Sequence, residues 1–174
     1  MIVKAYRTIS WVIPQAEVRP SPIHGAGLFA RNRTEIGERV AVMGGQVCNK
    51  TQSKSCDAKR GTILSLSEET FLAGSPDGSK HPDDCINHSC DHNLWMVNEV
   101  TLVARTLVMA DDKLTTDYAF WEADSDWTLS HRCQCGSDLC RGRITGRDWM
   151  LKELQARYAG HFSIFINERI TRER

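Results

Sequence analysis

Short apolar runs separated by polar turns mark the middle of the chain. The clearest are LWMV at 94–97 and VTLVA at 100–104, joined by Asn98 and Glu99. Two runs of strand length joined by two polar residues predict a β-hairpin. A shorter apolar piece at 40–42 predicts another strand. The centre of the chain is therefore expected to consist of short strands.

The flanking segments carry weaker signals of the same kind. Polar stretches rich in glycine and proline predict loops, whereas β-branched and aromatic residues predict strands. Loops are expected at 48–62 and 73–84, extended pieces at 11–13, 106–110 and 114–120, and a strand leading into a helical turn at 63–72.

A helical period occurs near the end of the chain, in TGRDWMLKELQARYAG at 145–160. Thr145 and Asp148 fit a capping box at its start, and Gly160 is placed to end it. This pattern predicts a C-terminal helix on a mostly β domain. The apolar face of the helix comprises Leu151, Leu154 and Tyr158.

Composition narrows the class of protein. The chain has 174 residues, which suits one domain, and 41% of them are hydrophobic, enough for a buried core. Lysine plus arginine equals aspartate plus glutamate at 22 each, so no global field draws the protein to nucleic acid or to a membrane surface. No apolar run approaches the roughly 18 residues of a membrane span, and no signal peptide is recognisable. We expect a protein of a reducing compartment: the cytoplasm if it is bacterial, otherwise the nucleus or a host cell.

Three cysteines lie close together in CQCGSDLCRG at 133–142. Clustered cysteines in a reducing compartment are more often metal ligands than disulfides. Structural zinc takes four tetrahedral ligands, so this cluster needs one more from elsewhere in the chain. The candidates for the fourth ligand are Cys48, Cys56, Cys85, Cys90 and His131.

A second polar concentration, DCINHSCDHNL at 84–94, allows a rival interpretation. Together with His81, its histidines and aspartates are residue types that bind non-haem iron or hydrolytic zinc. However, His88 and His92 lie in a turn-rich segment rather than on a helix, where four-residue spacing would align them. A hydrolytic centre is therefore the less favoured hypothesis.

Four motifs together resemble those of the SET-domain protein lysine methyltransferases. They occur in the family's order along the chain, and the last resembles the zinc-binding post-SET segment of some members. The motifs are HGAGLFA at 24–30, INHSCDHN at 86–93, LTTDY at 114–118 and CQCGSDLCRG at 133–142.

The resemblance implies a mostly β SET-domain (β-clip) fold. Such a fold has short curved sheets with a knot-like crossing, in which a later segment passes beneath the loop formed by the second motif. The implied parts are an N-terminal extension at 1–17, a SET domain at 18–121, a post-SET zinc segment at 129–145, and a C-terminal helix and tail at 146–174.

The resemblance also implies a reaction, methyl transfer from S-adenosylmethionine to the ε-amine of a lysine in a histone tail or another protein. Because a sulfonium methyl group is already activated, the enzyme must mainly deliver a neutral amine in line with the S–CH₃ bond. Tyr118 is the expected catalytic residue. The residues implied to bind the cofactor are Gly25, Ala26, Gly27, Leu28, Asn87, His88 and Tyr118, and those implied to bind structural zinc are Cys90, Cys133, Cys135 and Cys140.

Several positions depart from the family pattern. Met43 stands where a tyrosine is common, and Thr116 stands where an aromatic residue is common. His92 replaces a proline, and Asp84 replaces the arginine of many members. Met43 and Thr116 support an alternative, a non-catalytic SET-like module that binds proteins through zinc-stapled loops.

Overall fold

The computed structural model describes residues 5–57, 62–74 and 79–173. Most of the regular structure is short strands, and the helices lie in one central segment and at the C-terminal end. The strands are β1 (Trp11–Val12), β2 (Ala16–Pro20), β3 (Ala26–Ala30), β4 (Arg39–Val42), β5 (Gln46–Asn49), β6 (Ile63–Ser65), β7 (Thr70–Ala73), β8 (Asn87–His88), β9 (Leu94–Met96), β10 (Thr101–Ala104) and β11 (Lys113–Thr116). The α-helices are α1 (Lys50–Asp57), α2 (Lys152–Arg157) and α3 (Ile164–Arg172), and 3₁₀ turns cover Pro82–Cys85, Tyr118–Phe120 and Asp148–Met150.

The described strands form three small sheets. One has the order β1-β4-β10-β9, the second β2-β3-β11-β8 and the third β5-β7-β6. Strands distant in sequence are neighbours in each of the first two sheets, so the chain crosses between sheets repeatedly. This mostly β arrangement of short sheets confirms the predicted fold class.

One crossing brings two of the sequence motifs side by side. β8 pairs in parallel with β11, with Asn87 opposite Thr115 and His88 opposite Thr116. Asn93 fixes the same crossing, because its side chain donates to the carbonyl of Lys113 at 2.8 Å and accepts from the amide of Thr115 at 2.9 Å. Tyr118 therefore comes just after a strand that lies beside Asn87 and His88 of the second motif.

The hairpin prediction is confirmed, and four other strand and loop predictions are wrong. One is the extended piece expected at 114–120, which ends at Thr116 and is followed by a 3₁₀ turn at Tyr118–Phe120. β9 and β10 pair antiparallel as expected, with Leu102 opposite Met96. The segment at 106–110 forms only an isolated bridge between Val108 and Thr34. The expected loop at 48–62 holds the end of β5 and helix α1, and the expected helical turn within 63–72 is the turn of a β6–β7 hairpin.

The predicted helix at 145–160 is broken. Asp148 accepts hydrogen bonds from the amide and hydroxyl of Thr145, which starts only a 3₁₀ turn. Leu151 then adopts an extended conformation, so it is 41% exposed, whereas Leu154 and Tyr158 of the predicted apolar face are buried. A second helix, α3, follows Ser163, whose hydroxyl accepts from the amide of Ile166.

The C-terminal segment completes the main core. Leu28 and Leu114 of one sheet and Leu102 of another are fully buried in the same cluster as Trp149 and Tyr158. Two positions nine residues apart lie on opposite faces of a continuous helix, so Trp149 and Tyr158 can both be buried in this core only because the helix is interrupted between them. Among the helices within the described ranges, none combines the length and apolar character needed to cross a membrane.

Candidate functional site

Four cysteines from two distant motifs converge. The sulfur atoms of Cys90, Cys133, Cys135 and Cys140 all lie within 4.8 Å of one another. Four sulfurs placed tetrahedrally at the Zn–S distance of about 2.3 Å would be roughly 3.8 Å apart, so the cluster fits a zinc ion with little adjustment. The convergence selects Cys90 from the candidates for a fourth ligand.

The other candidates are placed elsewhere or fall outside the description. Cys48 packs with Phe71 and Ala73 in the third sheet, and His131 stacks on His24 with ring centroids 4.3 Å apart. Cys85 ends a 3₁₀ turn before β8. The side chain of Cys56 is not among those described.

Cys90 is the buried member of the cluster and has two polar neighbours. The amide of Arg141 donates to its sulfur at 3.3 Å, and Nε2 of His88 lies 3.3 Å from it. Burial raises the pKa of the Cys90 thiol to about 11 in the absence of an ion. A divalent cation would reverse that effect, and both N–H groups would then stabilise the resulting thiolate.

His88 joins the cysteine cluster to Tyr118. Its Nδ1 accepts the amide hydrogen of Tyr118 at 3.3 Å, which assigns the ring proton to Nε2, the nitrogen that faces Cys90. Burial lowers the pKa of His88 to about 4, so the ring is neutral and retains this one proton at physiological pH. A single imidazole therefore bridges the two halves of the candidate site.

A buried ion-pair network supports the same region. Arg141 donates two hydrogen bonds to Asp117, at 2.6 and 2.8 Å, and a third to Asp148 at 2.9 Å. Tyr158 also donates to Asp117 at 2.9 Å. Burial alone would raise the pKa of Asp117, but the hydrogen bonds and the positive charge of Arg141 hold it below its usual range.

Tyr118 itself is held at both ends. Its hydroxyl donates to the carbonyl of Ile86 at 3.1 Å, and its ring lies near Trp121 and Trp127, with centroids 5.5 and 6.2 Å away. Burial raises the pKa of Tyr118 to about 12, so the group is a neutral hydrogen-bond donor at physiological pH.

Two cavities have Tyr118 as their one common wall residue. The first, here called the motif cavity, has a volume of about 60 Å³. The second, here called the tryptophan cavity, has a volume of about 190 Å³. The motif cavity is lined by Ile23, His24, Asn87, His88, Tyr118, Leu129, His131, Cys133 and Gln134. The tryptophan cavity is lined by Thr62, Ile63, Asp84, Tyr118, Trp121, Glu122 and Trp127.

The predicted cofactor residues divide by position. Asn87, His88 and Tyr118 line the motif cavity, whereas the glycine motif contributes only His24 to its wall, next to the preceding Ile23. Gly25 has a φ of +50°, in the left-handed region that favours glycine, and the side chain of Leu28 points into the core. Gly25 thus shapes the turn into β3, and Ala26, Gly27 and Leu28 lie in that strand and do not line the cavity.

Sequence reasoning did not identify the network residues Asp117, Arg141 and Asp148, nor His24 of the motif cavity wall. His24 directly precedes the glycines, so its place in the motif was the available signal. No signal in the sequence pointed to the ion pair of Arg141 with Asp117, because nothing indicates that two loop charges 24 residues apart are in contact.

The rival histidine centre does not form in the part of the chain that is described. His92 is buried with neither ring nitrogen hydrogen-bonded, and its ring packs edge-on against Phe120 and Tyr158. The cysteine cluster is the one group of potential ligands found among the described residues. The hydrolytic hypothesis therefore loses its structural basis.

Comparison with known proteins gives a consistent assignment. Histone-lysine N-methyltransferase 2B of Homo sapiens is 28% identical over 134 residues, which cover 70% of this chain but 5% of that protein's length. A family model for the SET domain matches residues 25–119, more than half of the chain. The protein belongs to the SET-domain family.

Proposed function

We propose that the protein is an S-adenosylmethionine-dependent protein-lysine N-methyltransferase. The observation that carries the proposal is the position of Tyr118 as the wall shared by two cavities. One cavity is built from the cofactor motifs, and the other from aromatic and acidic side chains. A methyl donor in the first and a lysine in the second would both reach the same phenol ring.

The motif cavity is the proposed cofactor site. Asn87 offers both a donor and acceptors, and the neutral His88 ring offers a flat wall, which suits an uncharged purine base and a ribose. The cavity volume of about 60 Å³ is well below the roughly 300 Å³ or more of pockets that enclose small molecules. We therefore expect the segment carrying His131 to move away from His24 when the cofactor binds.

The tryptophan cavity is the proposed acceptor site. Trp121, Trp127 and the Tyr118 ring suit a lysine side chain, whose methylene stem is apolar and whose cation is attracted to aromatic faces. Asp84 and Glu122 add negative charge to its wall, which favours entry of the charged ammonium. Removing the amine from water then favours its neutral, nucleophilic form.

The residues of this chain have distinct tasks in the proposed reaction. When bound, S-adenosylmethionine supplies an activated methyl group. Tyr118 stays protonated, anchored to the Ile86 carbonyl, and presents a fixed ring and hydroxyl where the two cavities meet. Catalysis on this proposal is mainly positional, because a held amine needs no covalent step with the enzyme.

The four cysteines are the proposed ligands of structural zinc. With four thiolates the coordination shell would be complete, which leaves no open position for catalysis. The acceptor is proposed to be a protein, and the relative's name makes a histone lysine the first to test.

The test is methyl transfer from labelled S-adenosylmethionine to histones and to a panel of other lysine-containing proteins. Tyr118→Phe should lose most of the activity, at least about 100-fold for a group that orders the reacting atoms. Its affinity for S-adenosylmethionine, measured by calorimetry, should stay within about twofold, because ring stacking is retained. Absence of both cofactor binding and labelled product with the wild-type protein would refute the proposal.

A second candidate function is a non-catalytic module that binds protein partners. Two observations favour it. Met43 is buried where the family places a tyrosine. The hydroxyl of Thr116, on β11 opposite His88, is buried without a hydrogen-bond partner. Cofactor binding without turnover on any acceptor would select this second function.

A further inference from the structure

The loop that leads into the glycine motif folds around one hydroxyl group. The amide of Ser21 donates to the carbonyl of Gly25 at 2.8 Å, which closes the loop. The amides of Ile23 and His24 both point at the Ser21 hydroxyl oxygen, at 3.1 and 3.2 Å. Ser21 is therefore the internal anchor of a loop whose next residues form a wall of the motif cavity.

A lysine from a different strand reaches this hydroxyl. The ammonium of Lys113, at the start of β11, contacts the Ser21 oxygen. Its side chain passes over Gly27, where an added Cβ would lie 2.8 Å from the Lys113 Cε. No carboxylate among the described residues forms an ion pair with Lys113, and burial lowers its pKa to about 8. The hydroxyl of Ser21 is thus the principal polar partner of this cation.

The direction of each hydrogen bond follows from the chemistry of the lysine. An ammonium can only donate, so the Ser21 oxygen must accept from Lys113 and its own hydrogen must point elsewhere. The Ser21 hydroxyl lies 2.8 Å from Oδ1 of Asn87, which accepts that hydrogen. The amide of Asn87 is then oriented so that its Nδ2 donates to the carbonyl of Ala26 at 3.2 Å.

We propose that Lys113 is a positioning residue that fixes the orientation of the Asn87 side chain through Ser21. The relay runs Lys113–Ser21–Asn87–Ala26 and joins the glycine motif to the second motif beside the motif cavity. Without the ammonium, the Ser21 oxygen keeps only the two neutral amide donors of its own loop, so the Ser21–Asn87 bond loses its charged support and the Asn87 side chain is held less firmly. The consequence for ligand affinity rests on the proposed function, because it takes S-adenosylmethionine as the ligand of that cavity.

The first test uses Lys113→Met, which keeps the length of the side chain and removes the donor. The dissociation constant for S-adenosylmethionine should rise about tenfold by calorimetry, the effect of one charged hydrogen bond. The KM for the cofactor should rise similarly while kcat changes less than twofold. Lys113→Arg, which can still donate to Ser21, should recover most of the affinity. Lys152→Met, at an exposed lysine of α2, is the matched control and should have no effect.

The second test needs no ligand. In ¹⁵N-labelled protein the side-chain amide resonances of Asn87, identified by their loss in Asn87→Asp, should shift in Lys113→Met and in Ser21→Ala but not in Lys152→Met. Unchanged Asn87 resonances in Lys113→Met would overturn the relay. If the wild-type protein binds no S-adenosylmethionine, the proposed function fails, and the resonances of the free protein still decide whether the relay exists.

Discussion

The two cavities that share Tyr118 are built in opposite ways. The motif cavity draws its walls from all four motif-bearing segments, which are tied together by the hydrogen bonds of His88, by the Ser21–Asn87 contact and by the cysteine cluster. The tryptophan cavity takes Thr62, Ile63, Trp121, Glu122 and Trp127 from outside the quoted motifs. Its walls are joined by short-range backbone hydrogen bonds from Trp121 and Glu122 to Tyr118, and by one bond between segments, from the Thr62 amide to Asp84.

This difference predicts how each cavity responds to substitution of its wall residues. Segments joined by hydrogen bonds keep the motif cavity in one shape, which suits the proposed cofactor because that ligand is the same for every acceptor. A wall of packed aromatic and acidic side chains can change one residue at a time without disturbing the bonded side. We therefore expect substitutions behind the motif cavity to cost folding stability, and substitutions in the tryptophan cavity to alter the choice of acceptor.

The largest effect is expected from removing one cysteine of the cluster. Cys133→Ser should abolish tight zinc binding, measured as the metal-to-protein ratio by mass spectrometry. We expect the free energy of unfolding to fall by about 5 kcal/mol, less than in small zinc peptides, because this domain has a core of its own. A chelator should produce the same loss in the wild-type protein.

Cys48→Ser is the matched control for that prediction. Cys48 is a buried cysteine in the third sheet, outside the cluster, so the variant should retain a full complement of zinc. Equal zinc content in Cys133→Ser and the wild-type protein would exclude the cluster as the metal site.

The next effect in size tests the buried ion pair behind the motif cavity. Arg141→Met leaves Asp117, which is fully buried, without its guanidinium partner. Removing one partner of a buried pair costs about 3–5 kcal/mol, because the remaining charge is uncompensated. Urea unfolding measures the change, and Arg143→Met, at an exposed arginine of the same segment, should change it by less than about 0.5 kcal/mol.

A smaller effect depends on pH through His92. Burial lowers the pKa of His92 to about 3, against an ordinary value of 6.5. Between about pH 3 and pH 6.5 the imidazole of His92 is protonated in the unfolded chain but neutral in the folded protein. Its contribution to the free energy of unfolding is therefore fully present above pH 6.5 and falls as the pH drops toward 3. At pH 5 the loss from this residue should be about 2 kcal/mol.

His92→Phe isolates that contribution from the one made by His88. The substituted ring keeps the edge-on packing against Phe120 and Tyr158 and has no nitrogen to protonate. Urea unfolding at pH 7.5 and 5.0 should show a smaller pH dependence in this variant. An equal pH dependence in His92→Phe and in the wild-type protein would contradict this prediction.

The sequence was informative where chemistry is local. The β9–β10 hairpin was predictable because two apolar runs and the polar turn between them lie within a dozen positions. The convergence of Cys90 on Cys133 was predictable only through family resemblance, since spacing alone left five candidates for the fourth ligand. The grouping of Asn87, His88 and Tyr118 around one cavity was also predictable only through the family resemblance.

The sequence was uninformative where a tertiary contact decides the outcome. The helical period through Leu151 is genuine, yet burial of both Trp149 and Tyr158 breaks the helix between them. No pattern in the sequence singled out Lys113, and its bond to Ser21, 92 positions earlier, depends on the pairing of β11 with β3. The partners of charged residues that are distant in sequence can therefore be identified only from the structure.

The smallest expected effect concerns the acceptor wall. Glu122→Gln removes one of the two carboxylates of the tryptophan cavity while keeping its shape. Near a solvent-accessible cavity one charge contributes about 0.5–1 kcal/mol to binding a cation, so the KM for a lysine peptide should rise about threefold. The affinity for S-adenosylmethionine should not change, because Glu122 does not line the motif cavity. The exposed Glu153→Gln on α2 is the control, and an equal change in cofactor affinity in Glu122→Gln would contradict the separation of the two cavities.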